Sequence, residues 1–312
     1  MTEVYAPELP AGEVAGQGLE EEAWHTVRRQ GIGGSDIAAI LQLDGAYGTP
    51  VTVWESKVGE VEEQPENVFM KAGHKLEQPL ADWFSEESGI ETYQPPPITI
   101  YRSKELPIAQ ASPDRLAGSP ASTTGWVEIK NAGAHKLGEW EEGAPLYYLI
   151  QARWQLFVSG LPVCWLAALI GGTRFERYAI YPTEAQKEAL FELAQDFWDR
   201  YVVTRSVPPV TESEKTRQAL MKMFRKTVPE PVEGGDELAE WLRAYQKANA
   251  EKAAAEKAAK LASNHIAAIL QEHEVGLVNG VAACRWPSIA RRGYSVPSGT
   301  YRKLFVEPGW DS

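Results

Sequence analysis

Three charged residues in one short segment, residues 112–130, have the types and spacing of a hydrolytic metal site. A run of small residues predicts a hairpin turn centred near position 121, which places Asp114 on the outgoing strand opposite Glu128 on the returning strand. Because side chains alternate along a strand, Glu128 and Lys130 share that face while Ile129 points into the core. One face of the hairpin is therefore predicted to present Asp, Glu and Lys together.

Two carboxylates within hydrogen-bonding range do not both ionise readily unless a cation lies near them, and such hard oxygen ligands favour Mg²⁺, with Mn²⁺ as a substitute. A bound metal would lower the pKa of an attacking water, and Lys130 would position that water or the developing charge. The pattern predicts phosphodiester hydrolysis. A surface hairpin with solvated charges would show the same three residues, but the core character of Trp126, Val127 and Ile129 favours a central strand.

The surrounding segments alternate between helical and strand patterns, which predicts a mixed α/β fold with helices covering a central sheet. A first helix ends at Gly31, and the Gly-rich turn after it opens a second helix capped by Ser35 or Asp36. The other predicted elements are helices at about 51–59, 66–88, 147–160 and 183–202, and strands at 98–102, 107–114, 126–130, 163–172 and 174–182.

Five segments, in this order along the chain, resemble the phage lambda exonuclease family, also called YqaJ-type viral recombinases, within the PD-(D/E)xK nucleases. They are WHTVRRQGIGGSDIAAIL, GHKLEQPLADWF, ASPD, EIK and YYLIQARWQLFVSG, and the resemblance covers about residues 20–203. It implies a restriction-endonuclease-like core of three layers with a central mixed sheet. It also implies catalysis by two Mg²⁺ ions and processive 5′→3′ digestion of double-stranded DNA.

The resemblance further implies catalytic and metal-binding roles for individual residues. Asp114 and Glu128 match the metal ligands of the family, with the Ile129 carbonyl as an additional ligand, and Lys130 matches the catalytic lysine. Glu77, in a GxxLE motif, resembles the helix-borne acid that completes the site as a catalytic and metal-binding group. Outside this context, Glu77 would be interpreted as an ordinary solvated helix residue.

Gln151 resembles a catalytic glutamine that the family places on the helix after the catalytic strands, and Gln155, one turn further on, would lie on the same side. The alternative for both is a polar helix edge.

The resemblance also implies a site for the 5′-phosphate of the DNA strand being degraded. Arg28 and Ser35 match the family's phosphate-binding arginine and serine, although Arg29 competes for the first role. A Gly-rich turn at a helix start offers backbone N–H groups to an anion, and a guanidinium would complete that arrangement. Ser112 would add a hydroxyl. The alternative is a solvated arginine beside a simple helix cap.

Composition excludes disordered, collagenous and coiled-coil classes, because 44% of the 312 residues are apolar and 24% are charged. The net charge of −12 argues against loose electrostatic adhesion to DNA or anionic lipid. Residues 1–200 hold 15 basic and 30 acidic side chains, whereas residues 201–312 hold 16 and 13. Two distant cysteines, Cys164 and Cys284, predict buried thiols rather than a disulfide or a metal site.

An acidic start and the lack of any run of roughly 20 apolar residues predict a cytoplasmic protein that does not bind membranes. Under the family resemblance, the setting is a bacterial host cell carrying a phage or prophage. The implied partners are double-stranded DNA ends, a single-strand annealing protein, and further copies of the chain in a ring-shaped trimer.

The predicted domains are a flexible arm at 1–20, the nuclease domain at 21–203, a linker with a short basic patch at 204–235, and a mainly helical C-terminal extension at 236–312. The extension is predicted to contain a helix of over 30 residues and a hairpin signalled by Asn279 and Gly280. It also contains a cluster of Arg, Lys and Tyr residues at 291–303. These features predict contact with DNA, a partner or a neighbouring subunit; a helical buttress for the nuclease domain is the alternative.

Together these observations predict a Mg²⁺-dependent 5′→3′ exonuclease that processively degrades one strand of linear duplex DNA and leaves 3′ single-stranded tails for annealing-type homologous recombination. One alternative is an endonuclease or repair nuclease of the same superfamily that needs no DNA end. Another is a non-catalytic module that binds DNA ends or a partner protein.

Overall fold

The computed structural model describes residues 5–59, 68–226 and 228–288. Contacts divide the chain into two compact units, Met1–Arg225 and Lys226–Ser312, which are described separately. The elements of the first unit are β1 Gly12–Gly16, α1 Glu21–Arg29, α2 Gly34–Ile40, α3 Pro50–Val58, α4 Val68–Ser88, β2 Thr92–Tyr93, β3 Ile100–Ser103, β4 Gln110–Ala111, β5 Arg115–Ser119, β6 Ser122–Ala132, α5 Leu146–Ser159, β7 Cys164–Ile170, β8 Arg174–Ile180, α6 Glu184–Phe197 and α7 Glu214–Met223.

A five-stranded mixed sheet with the order β2-β5-β6-β7-β8 forms the centre of this unit. Strands β6 and β7 are parallel, and the other neighbouring pairs are antiparallel. A parallel pair needs a crossover connection, and α5 lies in the connection between β6 and β7. Strand β6 is central because it pairs with β5 on one side and β7 on the other.

Helices cover both faces of this sheet. Leu80 and Phe84 of α4 pack with Val127 and Ile129 of β6 on one face. Trp126 of β6 joins the larger core that includes α5 and α6 on the other face. The three-layer mixed α/β core that the family resemblance implies is therefore confirmed.

The register of β5 and β6 confirms the predicted hairpin geometry. Arg115 pairs with Val127 and Leu116 with Trp126, and Asp114 lies at a bend directly before β5, one step from this pairing toward Glu128. The register shifts at Gly118, where φ is +93° and a Cβ atom would lie 2.3 Å from the Ser122 carbonyl oxygen. Only glycine fits this bulge, which lies near the turn and leaves the pairing beside Asp114 unchanged.

The stretch predicted as a flexible arm is ordered over much of its length. Strand β1 pairs antiparallel with β3 in a separate three-stranded sheet with the order β1-β3-β4. Leu9 is buried in the core, and the Tyr101 hydroxyl donates to the Pro7 carbonyl at 3.0 Å. Composition gave no indication of this strand, because its partner lies almost 90 residues away and the pairing uses backbone groups.

Helix α7 lies in the stretch predicted as a linker and packs on α3. Thr216 is buried and donates to the Thr49 hydroxyl at 2.9 Å, while Lys222 forms an ion pair with Glu55 at 2.7 Å. The first compact unit thus reaches Arg225, 22 residues beyond the predicted end of the nuclease domain.

The second unit contains a 36-residue helix, α8 Gly235–Leu270, followed by the antiparallel strands β9 Val275–Val278 and β10 Val281–Arg285. The predicted long helix and hairpin are both confirmed. Asn279 and Gly280 have φ values of +52° and +80°, the positive values that a tight two-residue hairpin turn requires. The predicted basic and aromatic cluster at 291–303 lies outside the described residues. Among helices in the described ranges, none has the length and apolar character needed to cross a membrane.

Candidate active site

The hairpin and the central strand bring Asp114, Glu128 and Lys130 together. Glu128 is 2% exposed, and its Oε1 accepts a hydrogen bond from the Lys130 ammonium. Half-buried Asp114 accepts at Oδ2 from the backbone N–H of Ile129 at 2.8 Å. Ile129 itself packs against α4 on the opposite face of the sheet, as alternation along the strand predicted.

Helix α5 contributes two glutamines whose side-chain amides donate hydrogen bonds to the Glu128 carboxylate. Gln151 donates to Glu128 Oε1 at 2.6 Å, and Gln155 donates to Oε2 at 2.5 Å. The two amides lie one helical turn apart and reach the same side chain, as their spacing predicted. The thiol of buried Cys164 lies 3.7 Å from Gln155 Oε1, an arrangement that favours the amide orientation with its NH₂ group facing Glu128. Cys284 is half-buried, so the expectation of a buried thiol is confirmed only for Cys164.

Electrostatic interactions within this group raise the pKa values of Asp114 and Lys130. Burial, reinforced by the charge of Glu128, raises the pKa of Asp114 to about 8. Burial alone would lower the pKa of Lys130, but Glu128 and Asp114 outweigh that effect and raise it. Lys130 therefore remains a cationic hydrogen-bond donor at neutral pH. The negative charge of Asp114 is therefore poorly compensated in the metal-free protein.

This donor set fits a hard divalent cation. Mg²⁺ is usually bound by one or two carboxylates, together with water and substrate phosphate oxygens. Asp114 and Glu128 supply two carboxylates, and the Ile129 carbonyl follows Glu128 directly in the chain. In the part of the chain that the structure describes, three or more His, Cys, Asp or Glu side chains do not converge in a ready-made metal cluster. The arrangement thus matches an open site that leaves ligand positions for water and substrate.

Glu77 of α4 lies near Asp114, and its ion-pair partner is Arg115, which was not among the residues predicted from the sequence. Arg115, 3% exposed, forms an ion pair with Glu77 and donates to Gln78 Oε1 at 2.9 Å. Glu77 is close enough to Asp114 to help raise its pKa. The sequence did contain a signal for Arg115. It is a charged residue next to Asp114, at the start of a strand otherwise made of small and apolar residues.

The glycine-rich turn between α1 and α2 lies beside α5, the helix that carries Gln151 and Gln155. Gly33, rather than Ser35 or Asp36, is the N-cap of α2. Asp36 instead accepts from the Gly33 N–H at 2.9 Å, so the carboxylate satisfies the backbone from inside the helix. A Cβ atom on Gly34 would lie 2.9 Å from Gln151 Cγ, which shows how closely α2 approaches α5.

A buried lysine, also missed from the sequence, anchors this turn. Lys57 of α3 forms an ion pair with Asp36 at 2.7 Å, and its side chain is only 2% exposed. Burial would raise the pKa of Asp36, but Lys57 and then Arg28 lower it overall. The ion pair therefore ties α3 to the start of α2.

The residues predicted to bind a 5′-phosphate are placed as follows. Arg28 is exposed at the end of α1, with its guanidinium carbon 5.1 Å from the centre of the Trp24 ring. Ser35 is half-buried in the first turn of α2. The Ser112 hydroxyl donates to the Thr99 carbonyl at 2.6 Å. The structure thus brings Arg28 and Ser35 to one turn, whereas Ser112 is bonded to a neighbouring strand segment.

Comparison with known proteins finds similarity to one protein family in the region of this site. The family model described as "YqaJ-like viral recombinase domain" matches residues 23–162, a range that includes each predicted site residue. The protein YqaJ of Bacillus subtilis (strain 168) is 28% identical over 283 residues, which cover 88% of this chain and 86% of that protein. These matches confirm the resemblance inferred from the sequence.

Two solved structures are similar to part of the chain. An alkaline exonuclease (LHK-Exo) from Laribacter hongkongensis has 18% identity, with 59% of this chain and 94% of that chain covered and a TM-score of 0.48. A phage-related exonuclease from Haemophilus somnus 129PT has 11% identity, 56% and 96% coverage, and a TM-score of 0.41.

Proposed function

We propose that the YqaJ-like viral recombinase domain of this chain, residues 23–162, is a metal-dependent nuclease that degrades one strand of linear duplex DNA from its 5′ end. The supporting observation is the group formed by Asp114, Glu128 and Lys130 at the central strand, in which the Asp114 carboxyl has a pKa of about 8. When the pKa of a carboxyl group is raised in this way, a nearby cation stabilises its ionised form. The 3′ tail left behind would serve annealing-type recombination.

In this proposal, Asp114 and Glu128 hold Mg²⁺ or Mn²⁺, with the Ile129 carbonyl and Glu77 as further oxygen donors. A metal ion held by these residues would lower the pKa of a bound water and would stabilise negative charge on the phosphoryl group. Lys130 positions the attacking water or the developing charge, and its raised pKa keeps it protonated for that purpose. Use of a second metal ion and processive action are expected from the family resemblance.

The two glutamines have a positioning role in this proposal. Gln151 and Gln155 each donate to a different oxygen of Glu128, so the carboxylate cannot rotate freely. A carboxylate fixed in this way is preorganised for a metal ion, which lowers the cost of assembling the site. Gln151 also contacts the turn at Gly34, which connects the catalytic group to the proposed end-recognition site.

End recognition is assigned to Arg28 and Ser35 on the turn beside Gln151, with Ser112 contributing if its hydroxyl leaves the Thr99 carbonyl. Arg28 supplies the guanidinium charge and donor geometry that suit a phosphate. Proximity of this turn to the active site supports an enzyme that starts at a 5′-phosphorylated end. It also favours the exonuclease over an endonuclease that needs no end.

The proposed partners are double-stranded DNA ends and a single-strand annealing protein, and the proposed assembly is a ring of three copies in the cytoplasm of the bacterial host. Residues 1–200 carry a net charge of −15. Charge alone would therefore give weak retention on DNA, whereas enclosure by a ring would support processive digestion.

Digestion of linear and covalently closed circular duplex of the same sequence tests this function. In Mg²⁺, the linear DNA should lose nucleotides progressively from its 5′ ends while the circular DNA remains intact. Cutting of the circle would favour the endonuclease or repair nuclease. Binding of linear ends without any metal-dependent cutting would favour the non-catalytic module.

A further inference from the structure

A cluster of three tyrosines and one lysine extends from beside the proposed active site to the surface. Tyr147 and Tyr148 lie in the first turn of α5, Tyr47 lies in the loop between α2 and α3, and Lys136 lies in the 3₁₀ segment Ala134–Trp140. We call these four residues the tyrosine–lysine cluster. None of these four residues belongs to the catalytic group, so the proposed function does not explain why they are clustered.

The cluster adjoins the catalytic lysine. Lys130 Nζ lies 5.3 Å from the centre of the Tyr148 ring, a cation–π distance. The Tyr148 and Tyr47 hydroxyls are hydrogen-bonded at 2.5 Å, and their ring centres are 6.2 Å apart. Two short steps therefore connect Lys130 to the Tyr47 ring. Since neighbouring bases in a duplex strand are about 3.4 Å apart, Tyr47 lies within a few bases of the proposed cleavage position.

Tyr47 differs from the other two tyrosines in its exposure. Tyr147 and Tyr148 are buried in the core, whereas 56% of Tyr47 is open to solvent. The loop that carries Tyr47 is nevertheless well anchored. Lys215 of α7 donates to the Tyr47 carbonyl at 2.6 Å, and a Cβ atom on Gly45, where φ is +80°, would lie 2.6 Å from Tyr147 Cε1. An aromatic ring held in place yet exposed is suited to stacking.

The charges in the cluster favour a base over a phosphate as the ligand. Lys136 Nζ lies 5.3 Å from the centre of the Tyr47 ring, but it also forms an ion pair with Glu139 at 3.0 Å. Tyr147 donates to the same Glu139 carboxylate at 2.7 Å. The lysine charge is thus balanced within the protein. What remains for a ligand is the part of the Tyr47 ring that is open to solvent, and an aromatic ring can stack on any nucleobase.

We propose that Tyr47 stacks against a nucleobase of the DNA strand held beside the active site, close to the strand end. This inference rests on the proposed function, and it adds a substrate-binding residue that keeps the end of the strand in position for Lys130 and the carboxylates. Removing the ring should weaken DNA binding by about tenfold or more, the range measured for aromatic–base stacking.

Fluorescence of 2-aminopurine, a base analogue quenched by stacking, gives a readout that a purely structural role of Tyr47 would not change. The analogue is placed in turn at each of the first four positions from the end of either strand, and DNA is bound in Ca²⁺, which is expected to support binding without cleavage. Tyr47→Leu removes the ring, Tyr47→Phe removes only the hydroxyl that bonds Tyr148, and Tyr181→Leu is a matched change at another exposed tyrosine.

Wild type, Tyr47→Phe and Tyr181→Leu should quench the analogue at one position, and Tyr47→Leu should lose that quenching together with about tenfold in affinity. Equal quenching and affinity in Tyr47→Leu and wild type would overturn the inference. So would loss of quenching in Tyr47→Phe, because the hydroxyl contact rather than the ring would then be responsible. Digestion of the unmodified duplex by wild type in Mg²⁺ is measured alongside: if it fails, the proposed function fails, whereas normal digestion with an unchanged Tyr47→Leu signal overturns this inference alone.

Discussion

Replacing Asp114 with Asn should stabilise the metal-free protein by an amount that grows with pH. The Asp114 carboxyl has a pKa of about 8 in the folded protein, against a usual value of 3.8. Between these two values, the unfolded chain gives up a proton that the folded protein retains, so the stability of the wild type falls as pH rises. Asn cannot ionise, and it preserves an oxygen that can accept the Ile129 N–H.

The size of this effect follows from the pKa. Between pH 3.8 and about 8, each pH unit lowers the free energy of unfolding of the wild type by about 1.4 kcal/mol relative to the variant. Between pH 6 and pH 8, the advantage of Asp114→Asn should therefore grow by about 2–3 kcal/mol. For a compact unit of about 225 residues, that corresponds to roughly 5–10 °C in Tm.

Thermal unfolding in EDTA at several pH values, followed by tryptophan fluorescence, measures this difference. Trp54, Trp126 and Trp154 are fully buried in the first unit and report its unfolding. Asp44→Asn, a change at an exposed loop carboxylate, is the matched control and should show no such growth with pH. Addition of Mg²⁺ should reverse the order, because it should raise the Tm of the wild type more than that of Asp114→Asn.

A stability difference that stays constant from pH 6 to pH 8 would refute this reasoning, because Asp114 would then already be ionised in the folded protein.

Glu128 should behave differently from Asp114. Since Lys130, Gln151 and Gln155 all donate to it, Glu128→Ala should destabilise the protein by leaving buried donors without an acceptor.

Three further outcomes are expected. Arg28→Ala should erase most of the preference for 5′-phosphorylated over 5′-hydroxyl linear duplex in initial-rate assays; if Arg29→Ala does so instead, the other arginine binds the phosphate, and if neither does, the turn is only a helix start. Arg115→Met should lower unfolding free energy by about 2–3 kcal/mol, and adding Glu77→Gln should recover part of the loss; full stability of the single variant would contradict the buried ion pair. Truncation after Arg225, which keeps α7, should preserve cleavage of short duplexes but reduce processivity on long ones or partner binding; wild-type values for both would refute a DNA-binding or partner-binding role of the extension.

The hairpin of β5 and β6 was predictable because its determinants are local. Side-chain alternation and a turn of small residues fix which residues of two adjacent strands face each other, and this was enough to predict that Asp114 and Glu128 are neighbours. The same holds for Asn279 and Gly280, whose preference for positive φ predicted the second hairpin. Family resemblance then supplied Gln151, whose contact with Glu128 depends on how α5 packs on the sheet.

Contacts between distant segments were not predictable from one sequence. Arg115 and Lys57 form buried ion pairs with partners 38 and 21 residues away, and neither partner is marked by a local pattern. Strand β1 and helix α7 were missed for a related reason, because each depends on a surface that only the folded chain provides. Tyr47 lies in a loop without periodicity, so only the folded structure shows that its ring is beside Tyr148 and Lys130.

Release of label from linear duplex, with and without Mg²⁺, by wild type, Glu128→Gln and Glu188→Gln tests the proposed nuclease site most directly. Glu188 is an exposed glutamate on α6, so its variant controls for the chemical change. Wild type and Glu188→Gln should release nucleotides only in Mg²⁺, and Glu128→Gln should be slower by orders of magnitude while remaining folded. Turnover of Glu128→Gln near that of wild type, or equal release in EDTA, would contradict a metal-dependent active site built on Glu128.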